Sequence, residues 1–293
     1  MTTSQVGADL TAARFLQAVS LTEVEAQVFD RAFTALPQYV PWPKAYGGDM
    51  VAQAAAAAMA TVGEDRNLHS LHSAFLRPVE IGAEVRYEVE LLRDGRAYST
   101  RHVRGYQSDK PVFVTTASFQ VPEEGPKYSP QMPDVPAPED VPSSAEYLGA
   151  VRGDAAAYWS AGRSFDLRHV PGPVYLAVEG EASPHQAVWV RAFSDLPDDM
   201  HIHRLATSYV CDYTILEPSL RVLGLNWSSP GLTTASLDHA MWFHGDSRAD
   251  DWLLYVQEAV GVQNGRGLNF GRFFARSGAL VATVAQEGLI RQY

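Results

Sequence analysis

The segment from Asp49 to Ala60 reads DMVAQAAAAAMA, and seven of its twelve residues are alanine. This composition predicts a helix, because alanine has the highest helix propensity of the amino acids. Large or charged side chains are scarce on every face, so the helix is expected to be buried, with its backbone close to its surroundings. A curved sheet wrapped around it is the natural partner for such a helix.

The residues after this helix alternate in the manner of antiparallel strands. Apolar and charged residues alternate in the segment 85–91, which reads VRYEVEL, and Asp94-Gly95 is a hairpin turn pair. Further strands are predicted at 69–76, 98–106 and 111–120. One buried helix followed by antiparallel strands makes this unit α+β. Upstream, the capping-box pattern from Thr22 to Glu25 predicts a helix that runs through Phe29 and Phe33.

The same plan returns after a proline-rich segment. Seven prolines lie between positions 122 and 142, in a stretch that reads as a linker or a wrapping segment rather than a core element. A helix is then predicted at 203–216, with strands at 186–193, 233–244, 252–262, 268–274 and 279–288. Ser70–Ala74 aligns with Ser236–Ala240, and Val114–Ser118 aligns with Ala282–Gln286. Two tandem copies of a helix-on-sheet unit are therefore predicted.

Composition excludes several classes of protein. An apolar fraction of 46% suffices for a real core, and a formal net charge of −11 argues against nucleic acid as the partner. The single cysteine, Cys211, rules out an internal disulfide and fits a reducing compartment. No apolar run approaches the roughly 18 residues of a membrane helix, and residues 1–10 lack the pattern of a secretory signal. A cytoplasmic protein without stable membrane insertion is expected.

The two copies differ in an acid on the second helix. Asp212 lies among apolar neighbours in the run SYVCDY, whereas the first helix offers alanine at the corresponding place. A carboxylate on a mostly buried helix is unfavourable unless it is hydrogen-bonded or used in chemistry. Ser236 and Gln286 are the polar residues that the repeat alignment brings near it. Acid, hydroxyl and amide together can hold one water molecule, and the acid can accept its proton.

Six motifs carry a resemblance to a known family: GGDMVAQA at Gly47, HSLHSAFLRPV at His69, LLRDGRAYSTR at Leu91, TASFQVPEEG at Thr116, SLDHAMWFH at Ser236 and VAQEGLIR at Val284. Over nearly its whole length, the chain resembles the acyl-CoA thioesterase II family. This resemblance implies a tandem double hotdog, with two antiparallel sheets each wrapped around a central helix. The N-terminal unit is predicted at 1–122, a Pro-rich linker at 123–165, and the C-terminal unit with the catalytic residues at 166–293.

The resemblance also implies a reaction and its residues. Asp212, Ser236 and Gln286 are the implied catalytic triad, which orients a nucleophilic water toward the thioester carbonyl of a fatty acyl-CoA. The backbone at a helix N-terminus is expected to receive the developing oxyanion. The predicted substrate-binding residues are Gly47, Gly48, Asp49 and His72. Neither a cofactor nor a metal is expected. The protein is expected to form a homodimer or a homotetramer.

The chain departs from the family pattern in two places. Asp49 stands where the motif commonly has glutamine, which would put a second acid near the pocket, and residues 131–163 show little resemblance. Five arginines also cluster in the first unit, and they read either as a patch for the phosphates of coenzyme A or as a solvated strand face. These are Arg77, Arg93, Arg96, Arg101 and Arg104.

Two other functions stay open at this point. A hotdog hydratase would use Asp238 and His239 to add water to an enoyl thioester, but adjacent strand residues point to opposite faces. Both residues are therefore interpreted as structural, and Cys211 as a small buried residue. A non-catalytic module that binds acyl-CoA or acyl-carrier protein is the second alternative. Binding alone, however, does not need an acid, a hydroxyl and an amide together.

Overall fold

A computed structural model describes residues 12–293, and its largest element is a sheet of thirteen strands. The described part of helix α1 covers residues 12–18. The other helices are α2 (Gly47–Met59), α3 (Ser144–Leu148), α4 (Asp154–Ala157), α5 (Met200–Val210) and α6 (Glu217–Val222). The strands are β1 (Thr22–Val24), β2 (Arg31–Ala35), β3 (Asn67–Phe75), β4 (Val85–Asp94), β5 (Tyr98–Gln107), β6 (Lys110–Gln120), β7 (Phe165–His169), β8 (His185–Ala192), β9 (Leu232–Ser236), β10 (Asp238–Phe243), β11 (Leu253–Gln263), β12 (Arg266–Ala275) and β13 (Leu280–Gln292).

Five strands and one helix recur in the same spatial order in each half of the chain. The first half has the order β2-β4-β5-β6-β3 with helix α2, and the second has β8-β11-β12-β13-β10 with helix α5. In both halves the helix follows the first strand in sequence, and neighbouring strands are antiparallel. The predicted α+β class and tandem double hotdog are confirmed.

The two halves meet where β3 pairs with β10, so their sheets form one continuous sheet. Ser73 pairs with His239, and the pairs on either side are Ala74 with Asp238 and His72 with Ala240. The repeat aligns Ser73 with His239, Ala74 with Ala240 and His72 with Asp238. Each of the two flanking pairs is therefore the repeat equivalent of the other. An approximate twofold axis therefore passes through the Ser73–His239 pair.

Helices α2 and α5 pack directly against each other, with the start of α2 beside the end of α5. A side chain at Gly48 would overlap the carbonyl oxygen of Tyr209, so glycine is what permits this close approach. The Tyr46 hydroxyl donates to the same carbonyl at 2.7 Å. Alanine residues of α2 are buried on all sides of the helix. The buried alanine helix is therefore confirmed, although it begins two residues earlier than predicted.

The helix predicted after Thr22 is wrong. Residues 22–24 and 31–35 form β1 and β2 instead, the two outer strands of the first half. Between these strands, the backbone N–H groups of residues 27–29 donate to the carboxylate of Glu88, which is fully buried. Pairing with β4 and this buried acceptor outweigh the capping pattern, which by itself stabilises a helix by only about 1 kcal/mol.

Two elements of the second half also differ from their predictions. Asp199 caps α5 by accepting the N–H of His201 at 2.9 Å, and the helix ends at Val210. Asp212 thus lies in the 3-10 turn that follows α5, rather than on the helix. The strand predicted at 233–244 is broken at Leu237; both parts pair with β13, and only the part after Leu237 also pairs with β3.

The repeat alignment of the last strand was off by three residues. Ser73 pairs with Thr115 on β6, and its hydroxyl donates to Thr115 Oγ1 at 2.8 Å. His239, the equivalent of Ser73, lies opposite Gln286 on β13, and their side chains are 2.8 Å apart. Gln286 therefore corresponds to Thr115 and not to Ser118.

The proline-rich segment packs on the second half of the sheet. Pro136 accepts the indole N–H of Trp189 at 2.8 Å, and Val141 belongs to a small apolar cluster that includes Trp252. The segment also contains α3 and α4, and Tyr158 after them joins the main core. The division at 1–122, 123–165 and 166–293 stays a prediction.

No helix within residues 12–293 is long and apolar enough to cross a membrane. The prediction that residues 1–10 lack a secretory signal lies outside the described residues.

Candidate active site

Asp212, Ser236 and Gln286 come together from three separate elements. They lie in the turn after α5, at the end of β9 and on β13, respectively. Ser236 Oγ donates to Asp212 Oδ1 at 3.0 Å, and Gln286 Nε2 donates to the same oxygen at 2.6 Å. Gln286 Nε2 also lies 2.9 Å from Ser236 Oγ. Each predicted catalytic side chain thus contacts the other two, while the roles of the three stay predictions.

The glycine-led start of α2 borders this acid. A Cβ added to Gly47 would lie 2.6 Å from Asp212 Oδ2 and 3.1 Å from the ring of Phe75. The N–H of Gly48 donates to the Asp212 carboxylate. The first N–H groups of a helix lack partners within it and carry partial positive charge. The missing side chain at Gly47 leaves the carboxylate next to backbone that can approach a carbonyl oxygen closely.

Burial raises the pKa of Asp212 above its ordinary value. Hydrogen bonds from Gln286, Ser236 and the backbone of Gly48 oppose this effect, as does the positive charge of Lys44. A raised pKa makes the carboxylate a stronger base than a solvated aspartate, and the hydrogen bonds favour its ionised form. The environment of Asp212 is therefore suited to accepting a proton.

Lys44 is a charged neighbour that the sequence did not single out. Its ammonium group donates to the carbonyl oxygen of Thr234 on β9 at 2.7 Å, which ties the segment before α2 to the strand that ends at Ser236. Burial lowers the pKa of Lys44, and the negative charge of Asp212 opposes this. No motif marks this lysine, because its position is set by a contact across 190 residues of sequence.

His239 lies behind Gln286, away from the acid. Its Nδ1 is 2.8 Å from Gln286 Oε1, its Nε2 is 3.8 Å from Cys211 Sγ, and the side chain is buried. Burial lowers the pKa of His239 to about 4. The sequence predicts only a structural role for this residue. The error in the alignment of β13 concealed its pairing with Gln286, which correct register would have revealed.

Asp49 is a second buried acid near the start of α2. Its carboxyl group accepts the backbone N–H of Gln38 at 3.0 Å and the side-chain amide of Gln38 at 3.3 Å. The same amide donates to the Tyr209 hydroxyl at 2.7 Å. Burial raises the pKa of Asp49 to about 7, opposed by the bonds from Gln38 and reinforced by the charge of Asp212. The charge of Asp212 thus affects the pKa of Asp49, but the hydrogen bonds of Asp49 are with Gln38.

His72 and Asp238 lie on the other face of the sheet. His72 is exposed and its ring packs edge-on against Trp242, with centroids 5.2 Å apart. Asp238 is also exposed and accepts the N–H of Glu287 at 2.9 Å. His239, the residue next to Asp238 on β10, is buried and faces the interior. The structure does not bring His72 to the triad, and Asp238 and His239 do not face one cavity.

The described residues, 12–293, contain no group of three histidine, cysteine, aspartate or glutamate side chains that could hold a metal ion. A cleft of about 170 Å³ opens beside the proline-rich segment, where Ser144, His169 and Tyr175 contribute to its lining. None of the predicted site residues lines this cleft.

Comparison with known proteins identifies the family. The family model described as acyl-CoA thioesterase matches residues 162–289, and the model described as the acyl-CoA thioesterase N-terminal domain matches residues 38–120. Acyl-coenzyme A thioesterase 8 of Homo sapiens is 36% identical over 264 residues, covering 86% of this chain and 82% of that protein. The chain belongs to the acyl-CoA thioesterase family. It is a thioester hydrolase.

Other members of the acyl-CoA thioesterase family agree over most of the chain. Acyl-CoA thioesterase 2 of Haemophilus influenzae is 34% identical over 272 residues, covering 90% of this chain and 94% of that protein. The solved structure of acyl-CoA thioesterase II TesB2 from Mycobacterium marinum has a TM-score of 0.76 at 32% identity, and covers 95% of this chain and 98% of that one. The dehydratase domain of a curacin polyketide synthase has a TM-score of 0.55 at 13% identity, a likeness of fold alone.

Proposed function

We propose that this protein hydrolyses fatty acyl-CoA to a free fatty acid and coenzyme A, with water as the nucleophile. The observation that carries the proposal is the mutual contact of Asp212, Ser236 and Gln286 beside the glycine-led start of α2. Acid, hydroxyl and amide are the set needed to hold and deprotonate one water molecule. The names of the relatives, which are acyl-CoA thioesterases, support the substrate class.

In this mechanism Asp212 is the general base. A water molecule held against the triad donates one proton to the carboxylate and attacks the thioester carbonyl carbon with its oxygen. Ser236 and Gln286 fix the carboxylate and the water by their hydrogen bonds, so that the attack starts from an ordered geometry. Because Asp212 is a stronger base than a solvated aspartate, proton transfer to it is favoured as the new C–O bond forms.

The start of α2 is proposed to stabilise the oxyanion that forms on the carbonyl oxygen. Gly47 and Gly48 supply backbone without side chains next to Asp212, and the helix N-terminus contributes partial positive charge. When the tetrahedral intermediate collapses, the C–S bond breaks and Asp212 returns its proton to the leaving sulfur. The products are a carboxylic acid and the thiol of coenzyme A, and the carboxylate of Asp212 is regenerated.

The remaining predictions form part of the same proposal. Asp49 would shape the wall of the site next to α2 through its bonds to Gln38. The units at 1–122 and 166–293, joined by the linker at 123–165, would divide the work, since the triad belongs to the second and the glycines to the first. A homodimer or homotetramer in the cytoplasm is the proposed state.

A panel of thiol-release assays tests this function. Saturated acyl-CoAs from short to long chains are offered to the wild type and to Asp212→Asn, and free thiol is measured. Release by the wild type and its loss in the variant are expected. If no member of the panel releases thiol, the proposal is wrong, and the same panel with enoyl-CoA and carrier-protein thioesters then tests a hydratase or a binding module. Tight acyl-CoA binding without turnover would favour the module.

A further inference from the structure

His239 makes a contact that the mechanism above does not use. Its imidazole lies between Gln286 and Cys211, 2.8 Å from Gln286 Oε1 on one side and 3.8 Å from Cys211 Sγ on the other. Only 1% of the residue is exposed. The thiol of Cys211 itself donates to the carbonyl oxygen of Ser208 at 3.0 Å. The contact with Gln286 is therefore the one in which the enclosed ring uses its N–H, because an unmatched buried donor is destabilising.

The hydrogen bonds of the triad decide which end of the Gln286 amide faces His239. Oxygens of an ionised carboxylate can only accept, so the group 2.6 Å from Asp212 Oδ1 must be the amide NH₂. The amide oxygen of Gln286 therefore faces His239. A carbonyl oxygen is also an acceptor, so the imidazole must present an N–H at Nδ1.

The imidazole of His239 is neutral at pH 7, so only one of its two nitrogens carries a proton. Burial lowers the pKa of His239 to about 4; the bond to Gln286 opposes this shift, and nearby His72 adds to it. This proton is on Nδ1, because the amide oxygen of Gln286 needs a donor there. Nε2 then carries a lone pair and faces the buried thiol of Cys211.

We propose that His239 is a positioning residue that holds the Gln286 amide in the orientation that points its NH₂ group at Asp212 and Ser236. The inference rests on the proposed hydrolytic function of the triad. If the amide turned over, its oxygen would face the carboxylate and its NH₂ would face the Nδ1–H of His239. The contact with the carboxylate is repulsive, and so is the contact with His239 as long as the ring carries its N–H at Nδ1, so the histidine favours the productive orientation.

The other half of the molecule has a hydrogen bond at the same place without this consequence. Ser73, the twofold equivalent of His239, donates to Thr115 Oγ1 at 2.8 Å. A hydroxyl has no distinct donor and acceptor ends to orient, and it can rotate to suit its neighbours. The pair of an imidazole and an amide is thus particular to the half that contains Asp212.

Two matched substitutions test the donor at Nδ1. Asn Nδ2 and His Nδ1 are both bonded to the γ carbon, so His239→Asn keeps an N–H facing Gln286. Gln Nε2 instead lies near the position of Nε2, so His239→Gln removes that donor and retains a polar side chain. We expect His239→Gln to lower kcat about 10-fold or more with little change in KM, because misplaced catalytic groups lose rate steeply. His239→Asn should recover most of that loss.

The assay separates this inference from the function on which it rests. If the wild type releases thiol from acyl-CoA and His239→Gln matches it, the positioning role is wrong and the function stands. Equal loss in both variants, each folded by melting temperature, also overturns the donor role. A wild type without thiol release overturns the function and this inference with it. If neither variant folds, ¹⁵N NMR of histidine-labelled wild type decides, since an N–H at Nε2 of His239 contradicts the assignment.

Discussion

Within residues 12–293, the two longest helices, α2 and α5, are followed by residues of different chemistry. The residue after the C-cap is Thr61 in α2 and Asp212 in α5. Asp212 accepts hydrogen bonds from Ser236 and Gln286. Thr61 accepts from one guanidinium group, with Arg101 Nε 2.9 Å from its hydroxyl and Arg101 Nη2 3.0 Å from its carbonyl oxygen. The residue after the C-cap is thus a carboxylate in one half, and in the other half it is a threonine held by an arginine.

Both halves therefore contain a buried helix that ends against the sheet, but only the second half has a carboxylate after the helix end. Arg101 is only 2% exposed and also bonds Asp94 at 2.7 Å, so its side chain occupies the space at the end of α2 and fixes the helix to the sheet. This contact also removes Arg101 from the arginine patch considered for coenzyme A. The starts of the helices differ as well, because α2 begins with two glycines and α5 follows the Asp199 cap.

Of the changes outside the triad, the largest effect is expected from a side chain placed at the glycine start of α2. In Gly47→Ala the new Cβ would lie 2.6 Å from Asp212 Oδ2, so the carboxylate must move. A displacement of this kind reduces kcat by about 100-fold. Steady-state thiol release measures it, with Gly125→Ala as the control, since a Cβ there meets nothing within 4 Å. Wild-type kcat in Gly47→Ala would show that the approach of α2 to Asp212 does not matter.

Removal of the Arg101 side chain should affect stability and leave the chemistry intact. Arg101→Met takes away the donors to the half-buried Thr61 and to the exposed carboxylate of Asp94, which keeps its hydrogen bond from Ser99. A loss of about 1–3 kcal/mol in the free energy of unfolding is expected, measured by urea denaturation. The exposed Arg93→Met is the matched control. A drop in kcat with unchanged stability would mean that the end of α2 contributes directly to the reaction.

The smallest effect concerns the buried acid that α2 adds at Asp49. Its pKa is about 7 in the folded protein, against an ordinary value of 3.8, so the neutral carboxyl favours folding. Stability from this group is full below about pH 4 and is lost as the pH rises to 7. Asp49→Asn should therefore have a higher melting temperature than the wild type at pH 8 but not at pH 4. An equal difference at both pH values would contradict the raised pKa.

The fold was predictable because its signals are repeated along the chain. The alanine content of α2 and the alternation in β4 are local patterns, and their recurrence 166 residues later for β3 and β10 indicates two units. Strand β2 was missed because its partner β4 and the Glu88 acceptor lie 50 to 61 residues away in sequence, and β1 was missed because it pairs with β2. A local capping pattern cannot report such contacts.

The three residues of the triad could be predicted from the sequence, but the side chains that surround them could not. Asp212, Ser236 and Gln286 followed from the motifs, whereas Lys44 and His239 are set by tertiary contacts. A shift of three residues in the alignment of β13 was enough to hide the partner of Gln286. Register decides which side chains meet across a sheet, and weak sequence identity between repeats does not fix it.

The most direct test compares the two helix ends in one experiment. Asp212→Asn and Thr61→Val remove the acid and the hydroxyl from the residue that follows the C-cap of each helix, and kcat for acyl-CoA is measured with the melting temperature of each variant. We expect Asp212→Asn to lose about 10²–10⁴-fold in kcat while remaining folded, and Thr61→Val to keep wild-type kcat. Turnover by Asp212→Asn close to that of the wild type, or an equal loss in Thr61→Val, would contradict the assignment of the reaction to the end of α5.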